Sequence, residues 1–195
     1  MKFVNILVLG VMMTFLSACS VLGQSNVETA PYKTISTDGE FELRHYDSLI
    51  VVSAPMPGGM DAPNNAFREL FGYISGDNNA DQKIAMTAPV FMGLDNQDYM
   101  QFVMPADLTI ETTPLPEGEN VSVEEIKGLN VAVIGFSGRL TERNVKKNRG
   151  LLEDWIAHND TVAPAGKAIA AGYNGPFTIP AMRRNEVLIP VEVLK

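Results

Sequence analysis

Lys83-Ile84-Ala85-Met86-Thr87-Ala88-Pro89-Val90-Phe91-Met92 and Tyr99-Met100-Gln101-Phe102-Val103-Met104, separated by a polar turn at Asp95-Asn96-Gln97-Asp98, read as two consecutive strands. Just upstream, Phe67, Leu70, Phe71 and Ile74 recur at i, i+3, i+4 and i+7, which is one apolar helix face. Gly76-Asp77-Asn78-Asn79 ends that helix. A helix that feeds a hairpin is not the crossover of a parallel sheet, whose helix leads to a single strand parallel to the first. This order decides the fold class.

Outward from that point the pattern repeats. Before the helix, Glu40 to Tyr46 alternates and continues through Leu49-Ile50-Val51-Val52, a strand with a bulge or bend expected at Asp47-Ser48. Pro55 to Pro63 is turn material. In the second half, Asn130 to Phe136 is a strand, and Thr141 caps a helix whose inward face is Val145, Leu152, Trp155 and Ile156. Gly150 within that helix costs about 1 kcal/mol against alanine, so its surroundings must tolerate or want a close approach. Strands follow at Lys167 to Tyr173 and Glu186 to Val193. Thr112 to Asn120 links the halves, and Val121 to Ile126 adds a further strand signal. The prediction is an α+β fold made of a duplicated strand-helix-strand-strand unit, with an antiparallel sheet, curved or closed, and two packed helices.

Of the 195 residues, 46% are hydrophobic and 19% charged, an ordinary globular balance. The formal charge of −8 leaves no basic footprint for nucleic acid and disfavours adhesion to anionic lipid by charge alone. The N-terminus supplies another route to a membrane. Lys2 precedes a short apolar run from Ile6 to Leu16, too short to span a bilayer, which takes roughly 20 residues. Leu16-Ser17-Ala18-Cys19 looks like a bacterial lipobox, and Cys19 is the chain's only cysteine. The expected organisation is a lipoprotein signal peptide over residues 1–18, a tether over 19–30 lipidated at Cys19, and one domain over 31–195. Ser20 after the cysteine implies the periplasmic face of the outer membrane in a two-membrane bacterial cell envelope.

Five segments of the domain together resemble the SOUL haem-binding protein family: Phe41-Glu42-Leu43-Arg44-His45-Tyr46, the helix Ala66 to Gly76, Lys83 to Val90, Phe102-Val103-Met104-Pro105 and Arg183-Arg184-Asn185-Glu186-Val187. The resemblance implies a distorted eight-stranded barrel-like sheet with two helices. It also implies non-catalytic binding of haem or a related tetrapyrrole, against the alternatives of a binding module for another apolar small molecule and an envelope interaction protein with no ligand. Haem needs an apolar slot, cations for two propionates and, optionally, an axial iron ligand. The slot is expected beside the first helix, with Phe67, Leu70, Phe71, Ile74, Met86 and Val90 as walls, although a stripe at helical spacing is also how a core is built. Arg44, Arg68 and Lys83 are the candidate cations, against the alternatives of a solvated face or a structural ion pair. His45 stands where some members of the family carry a proposed iron ligand, so it is the metal candidate. Its strand position beside Phe41 and Leu43 also fits a partly buried, hydrogen-bonded histidine.

His158, near the end of the second helix, reads as a cap. Arg183 and Arg184 read as structural partners for carboxylates such as Glu186 and Glu42. There is no Gly-x-Ser-x-Gly, His-Glu-x-x-His or phosphate loop, and Cys19 is committed to lipid, so a binding protein is expected in place of an enzyme.

Overall fold

The computed structural model describes residues 27–194 apart from 62 and 96–98. The expected leader, Cys19 and the expected tether up to residue 26 lie outside the described residues. In chain order the elements are β1 (Glu28–Thr29), β2 (Lys33–Asp38), β3 (Phe41–Pro55), α1 (Asn64–Ser75), β4 (Thr87–Ala88), β5 (Val90–Gly93), β6 (Tyr99–Val103), β7 (Ser122–Phe136), α2 (Glu142–Ala157), β8 (Val162–Pro164), β9 (Ile169–Gly172) and β10 (Asn185–Val193).

Six strands close into a ring, β3-β6-β5-β9-β10-β7 and back to β3, with every ring pairing antiparallel. β2 pairs outside the ring with β3, and β8 with β10, completing an eight-stranded sheet. The α+β, barrel-like architecture is therefore the one expected. Closure leaves the six ring strands with few open edges.

The core has two layers. One contains Leu70, Tyr73 and Ile74 of α1 and Val145, Leu152 and Ile156 of α2, packed on Ile50, Val52, Ala132, Ile134 and Val187 of the sheet. The other has no helix residue and fills the inside of the ring with Tyr46, Leu49, Val51, Phe91, Val103, Val131 and Leu188. β3 changes faces between these layers. Leu43 joins the helix layer and Tyr46 the interior, yet Leu49 is interior and Ile50 is in the helix layer. Strict alternation would put 43 and 49 together. The exchange falls at Asp47, opposite Gly128 of β7, whose φ of 62° suits glycine. Tyr46 pairs with Leu129 and Ser48 with Lys127, so both strands bend together and keep their register. The bend expected at Asp47-Ser48 is this corner.

Differences from expectation are local. Val121 to Ile126 and Asn130 to Phe136 belong almost entirely to one strand, β7. Lys83 to Met86 is not strand; Ile84 N–H instead donates to Ile74 C=O at 2.8 Å, tying this stretch to the end of α1. β2 and β8 had no alternating signal, because β2 is exposed along its length and β8 has only three residues. Glu28–Thr29, expected within the tether, pairs parallel with Thr87–Ala88, so the fold starts a few residues earlier. Thr141 caps α2 as expected, its hydroxyl accepting from Asn144 N–H at 3.3 Å. A Cβ added at Gly150 would meet nothing within 4 Å, so that glycine serves no close approach.

Candidate functional site

The apolar face of α1 is unevenly buried. Leu70 and Ile74 turn inward and are buried in the helix–sheet core. Phe67 and Phe71, one turn apart, remain 42% and 50% exposed. Their rings lie within 11° of parallel, with centroids 6.1 Å apart. Phe67 also meets Phe102 of β6 edge to face at 5.3 Å, which holds the pair from below. The outcome is a half-exposed, stacked phenyl pair at the edge of the contact between α1 and the sheet. Met86 and Val90, the other expected walls, are partly buried against the core.

Two of the expected cations flank this helix. Arg68 is exposed and donates to Asn65 Oδ1 at 3.1 Å. Lys83 is exposed, and the Ile84–Ile74 bond places it beside the last turn of α1. Arg68 and Ile74 are six residues apart, roughly 9 Å along the axis.

Arg44 is elsewhere. It points into the barrel, donating through Nη1 and Nη2 to Glu186 at 2.8 and 3.1 Å and through Nε to Glu42 at 2.8 Å. Tyr173 Oη donates to Glu186 at 2.7 Å and Arg184 Nη2 to the same carboxylate at 2.7 Å. The guanidinium of Arg44 also lies 4.2 Å over the Tyr32 ring, and that of Arg184 4.0 Å over Tyr173. Burial alone would raise the Glu186 pKa, but the hydrogen bonds and charge of Arg44, the Tyr173 hydroxyl and the charge of Arg184 hold it below the ordinary value. Burial pushes the neighbouring Tyr46 hydroxyl up to about 12. Arg44, Arg184, Glu42 and Glu186 balance in charge, so this cluster is an internal brace. Arg183 differs from the expected carboxylate pairing: it donates to the carbonyls of Thr178 and Pro176 at 2.9 and 2.6 Å.

His45 lies on the outer face of β3, as its parity with Leu43 predicts. Its Nδ1 is 2.7 Å from Asn130 Oδ1 and its Nε2 3.2 Å from Asp47 Oδ1, so both ring nitrogens are engaged. Phe102, the support of the phenyl pair, pairs with Val52, seven residues along β3 from His45. That is roughly 23 Å of strand. The structure thus places Phe67, Phe71 and Arg68 on α1 and Lys83 near its last turn, with His45 seven residues away along β3 from the partner of Phe102. His158 behaves as the expected cap, its Nδ1 lying 2.7 Å from Asp154 C=O.

A concave feature was not foreseen. A cleft of about 500 Å³ lies between α2 and the β8–β9 region, lined by Ile156, Ala157, Pro164, Ala168 and Ile189, with Arg149 and Lys167 on its rim. Arg149 pairs with Asp95 and Glu153, and Lys167 donates to the Asp95 carbonyl. Its parts come from distant stretches, and no local pattern could have joined them.

Residues 27–190 match the sequence profile described as SOUL heme-binding protein. The chain belongs to the SOUL heme-binding protein family. Among this SOUL protein's relatives, "Heme-binding protein 2" of Mus musculus is 27% identical over 168 residues, covering 81% of each chain. "Heme-binding protein 1" of Mus musculus is 25% identical over 179 residues, covering 83% of this chain and 92% of that one. Family and relatives support haem or tetrapyrrole binding in general terms. Among solved structures, the EcmrR C-terminal domain superimposes with a TM-score of 0.56 at 14% identity, covering 84% of this chain and 99% of that one. In the EcmrR–DNA complex the TM-score is 0.58 at 14% identity, and the SOUL chain spans 57% of that longer chain. A hydrolase from Listeria innocua gives 0.53 at 9% identity, covering 81% and 94%. These structural likenesses concern the fold alone.

Proposed function

We propose that this SOUL-family protein binds haem or a related tetrapyrrole reversibly and without catalysis, beside α1 where Phe67 and Phe71 are exposed. The observation that carries the reading is the exposed, near-parallel Phe67–Phe71 pair. Two half-exposed phenyl rings are costly to leave in water, and an apolar macrocycle is large enough to cover the exposed parts of both. Arg68 and Lys83 supply cations for the propionates. Leu70 and Ile74 support the pair from inside, and Met86 and Val90 pack into the same core. His45, with both nitrogens engaged and separated from the phenyl pair along β3, is not the axial ligand in this arrangement. The iron therefore takes no ligand from it.

The same reading places the protein at the bacterial cell envelope, on the periplasmic face of the outer membrane, held by acyl chains on Cys19. The lipobox-like Leu16-Ser17-Ala18-Cys19 and the absence of a second cysteine support this. Titrating the full chain with haemin and following the Soret band tests the binding; a saturable shift is expected, and no saturable change refutes it.

A second reading is favoured by the α2 cleft, whose volume falls within the usual range for small-molecule pockets. Another apolar small molecule would bind there. Loss of haemin binding in a Phe67→Ala/Phe71→Ala variant selects the α1 phenyl pair; unchanged binding selects the cleft.

A further inference from the structure

The loop between β9 and β10 carries an apolar surface that neither the core nor the proposed haem site uses. Phe177 is 99% exposed, Ile179 63% and Met182 41%. Residues 173–184 contain no carboxylate, although the chain as a whole is acidic. The loop is also braced. Arg183 spans it through the carbonyls of Thr178 and Pro176, Gly138 N–H donates to Pro180 C=O at 2.9 Å, and Pro180–Met182 forms a 3-10 turn. These side chains are thus held out into solvent by a stiff support.

Where the chain enters the fold says what covers them. Gly172, the last residue of β9 before the loop, pairs with Val90, the first residue of β5. β4 ends at Ala88, two residues before Val90, and β1 runs parallel beside it, with Glu28 next to Thr87. Traced backwards, the chain leaves the sheet on the side from which the loop springs, and Arg184 Nη2 reaches Tyr32 Oη across the same region at 3.4 Å. Val27, the last described residue at this exit, is 37% exposed. It stands eight residue steps from Cys19, with seven residues between them. Fully extended, those steps reach at most about 29 Å.

We propose that the 173–184 loop is a second membrane contact, with Phe177 and Ile179 entering the interfacial region of the bilayer to which Cys19 is anchored. The inference rests on the lipid-anchor reading above. A short tether brings this end of the barrel to the lipid surface, and the loop offers the surface no acidic group to desolvate. The lipid then fixes the orientation of the domain, which an acyl anchor on a tether does not do alone.

The test uses the full chain, produced with its leader in a bacterial host and reconstituted into phosphatidylethanolamine/phosphatidylglycerol vesicles containing doxyl-labelled lipid. Phe177→Trp adds an emitter at the tip, and wild type, whose sole tryptophan is Trp155, sets the baseline. The expected result is flotation with the vesicles, a blue shift of the added emission and loss of more than about half of it to doxyl quenching, as for a side chain 5–10 Å into the interface. Flotation with no quenching beyond wild type overturns the loop contact and leaves the anchor standing. A chain that does not float overturns both.

Discussion

Removing the phenyl pair tests the binding surface most directly, and its size can be worked from exposure. A phenylalanine presents about 200 Å². At 42% and 50% exposure, Phe67 and Phe71 leave about 185 Å² in water between them. A ligand resting on one side covers about half, and at ~25 cal/mol per Å² this is worth about 2.3 kcal/mol. The Phe67→Ala/Phe71→Ala variant is therefore expected to weaken haemin binding about 50-fold. Soret titration measures the affinity. Far-UV circular dichroism and a urea melt check that the domain stays folded, since Leu70, Tyr73 and Ile74 still dock α1 on the sheet. A folded variant binding haemin within threefold of wild type would refute the phenyl-pair site, and the α2 cleft would become the place to look.

Other outcomes follow from individual residues. His45→Ala is expected to leave the Soret position of bound haemin unchanged, because Asn130 and Asp47 already engage the ring; a shifted band or changed iron spin state in absorption spectra contradicts this. Glu186→Gln removes the charge and one of the two acceptor oxygens shared by Arg44, Tyr173 and Arg184 and is expected to cost roughly 3–5 kcal/mol in urea unfolding. Because its folded pKa lies below the ordinary 4.5, the stability Glu186 contributes is full above that value and is lost as pH falls through the depressed pKa. Wild type thus loses stability on acidification below about pH 4.5, and Glu186→Gln shows a shallower decline in thermal melts across that range. Gly150→Ala meets open space on α2 and is expected to stabilise by about 0.5–1 kcal/mol; a lower melting temperature contradicts the geometry.

Local chemistry determined much of this protein. The helical period of Phe67 to Ile74, the hairpin after it and the repeat of that order made a parallel crossover fold untenable, because secondary-structure periods are written in neighbouring residues. Thr141 and His158 were legible as caps for the same reason. The expected site could be listed as residue types only: periodicity groups Phe67, Leu70, Phe71 and Ile74, but which two are core and which two face water depends on how α1 sits over β3 and β6. Likewise Arg44 and His45 are neighbours on one strand, and only ring closure sends one into the barrel toward Glu186 and the other out toward Asn130. The corner at Asp47 and Gly128 has the same origin, since strand pairing brings together residues about eighty positions apart. Tertiary structure decides such matters because burial and partner choice are properties of the closed sheet, not of any stretch of chain along it.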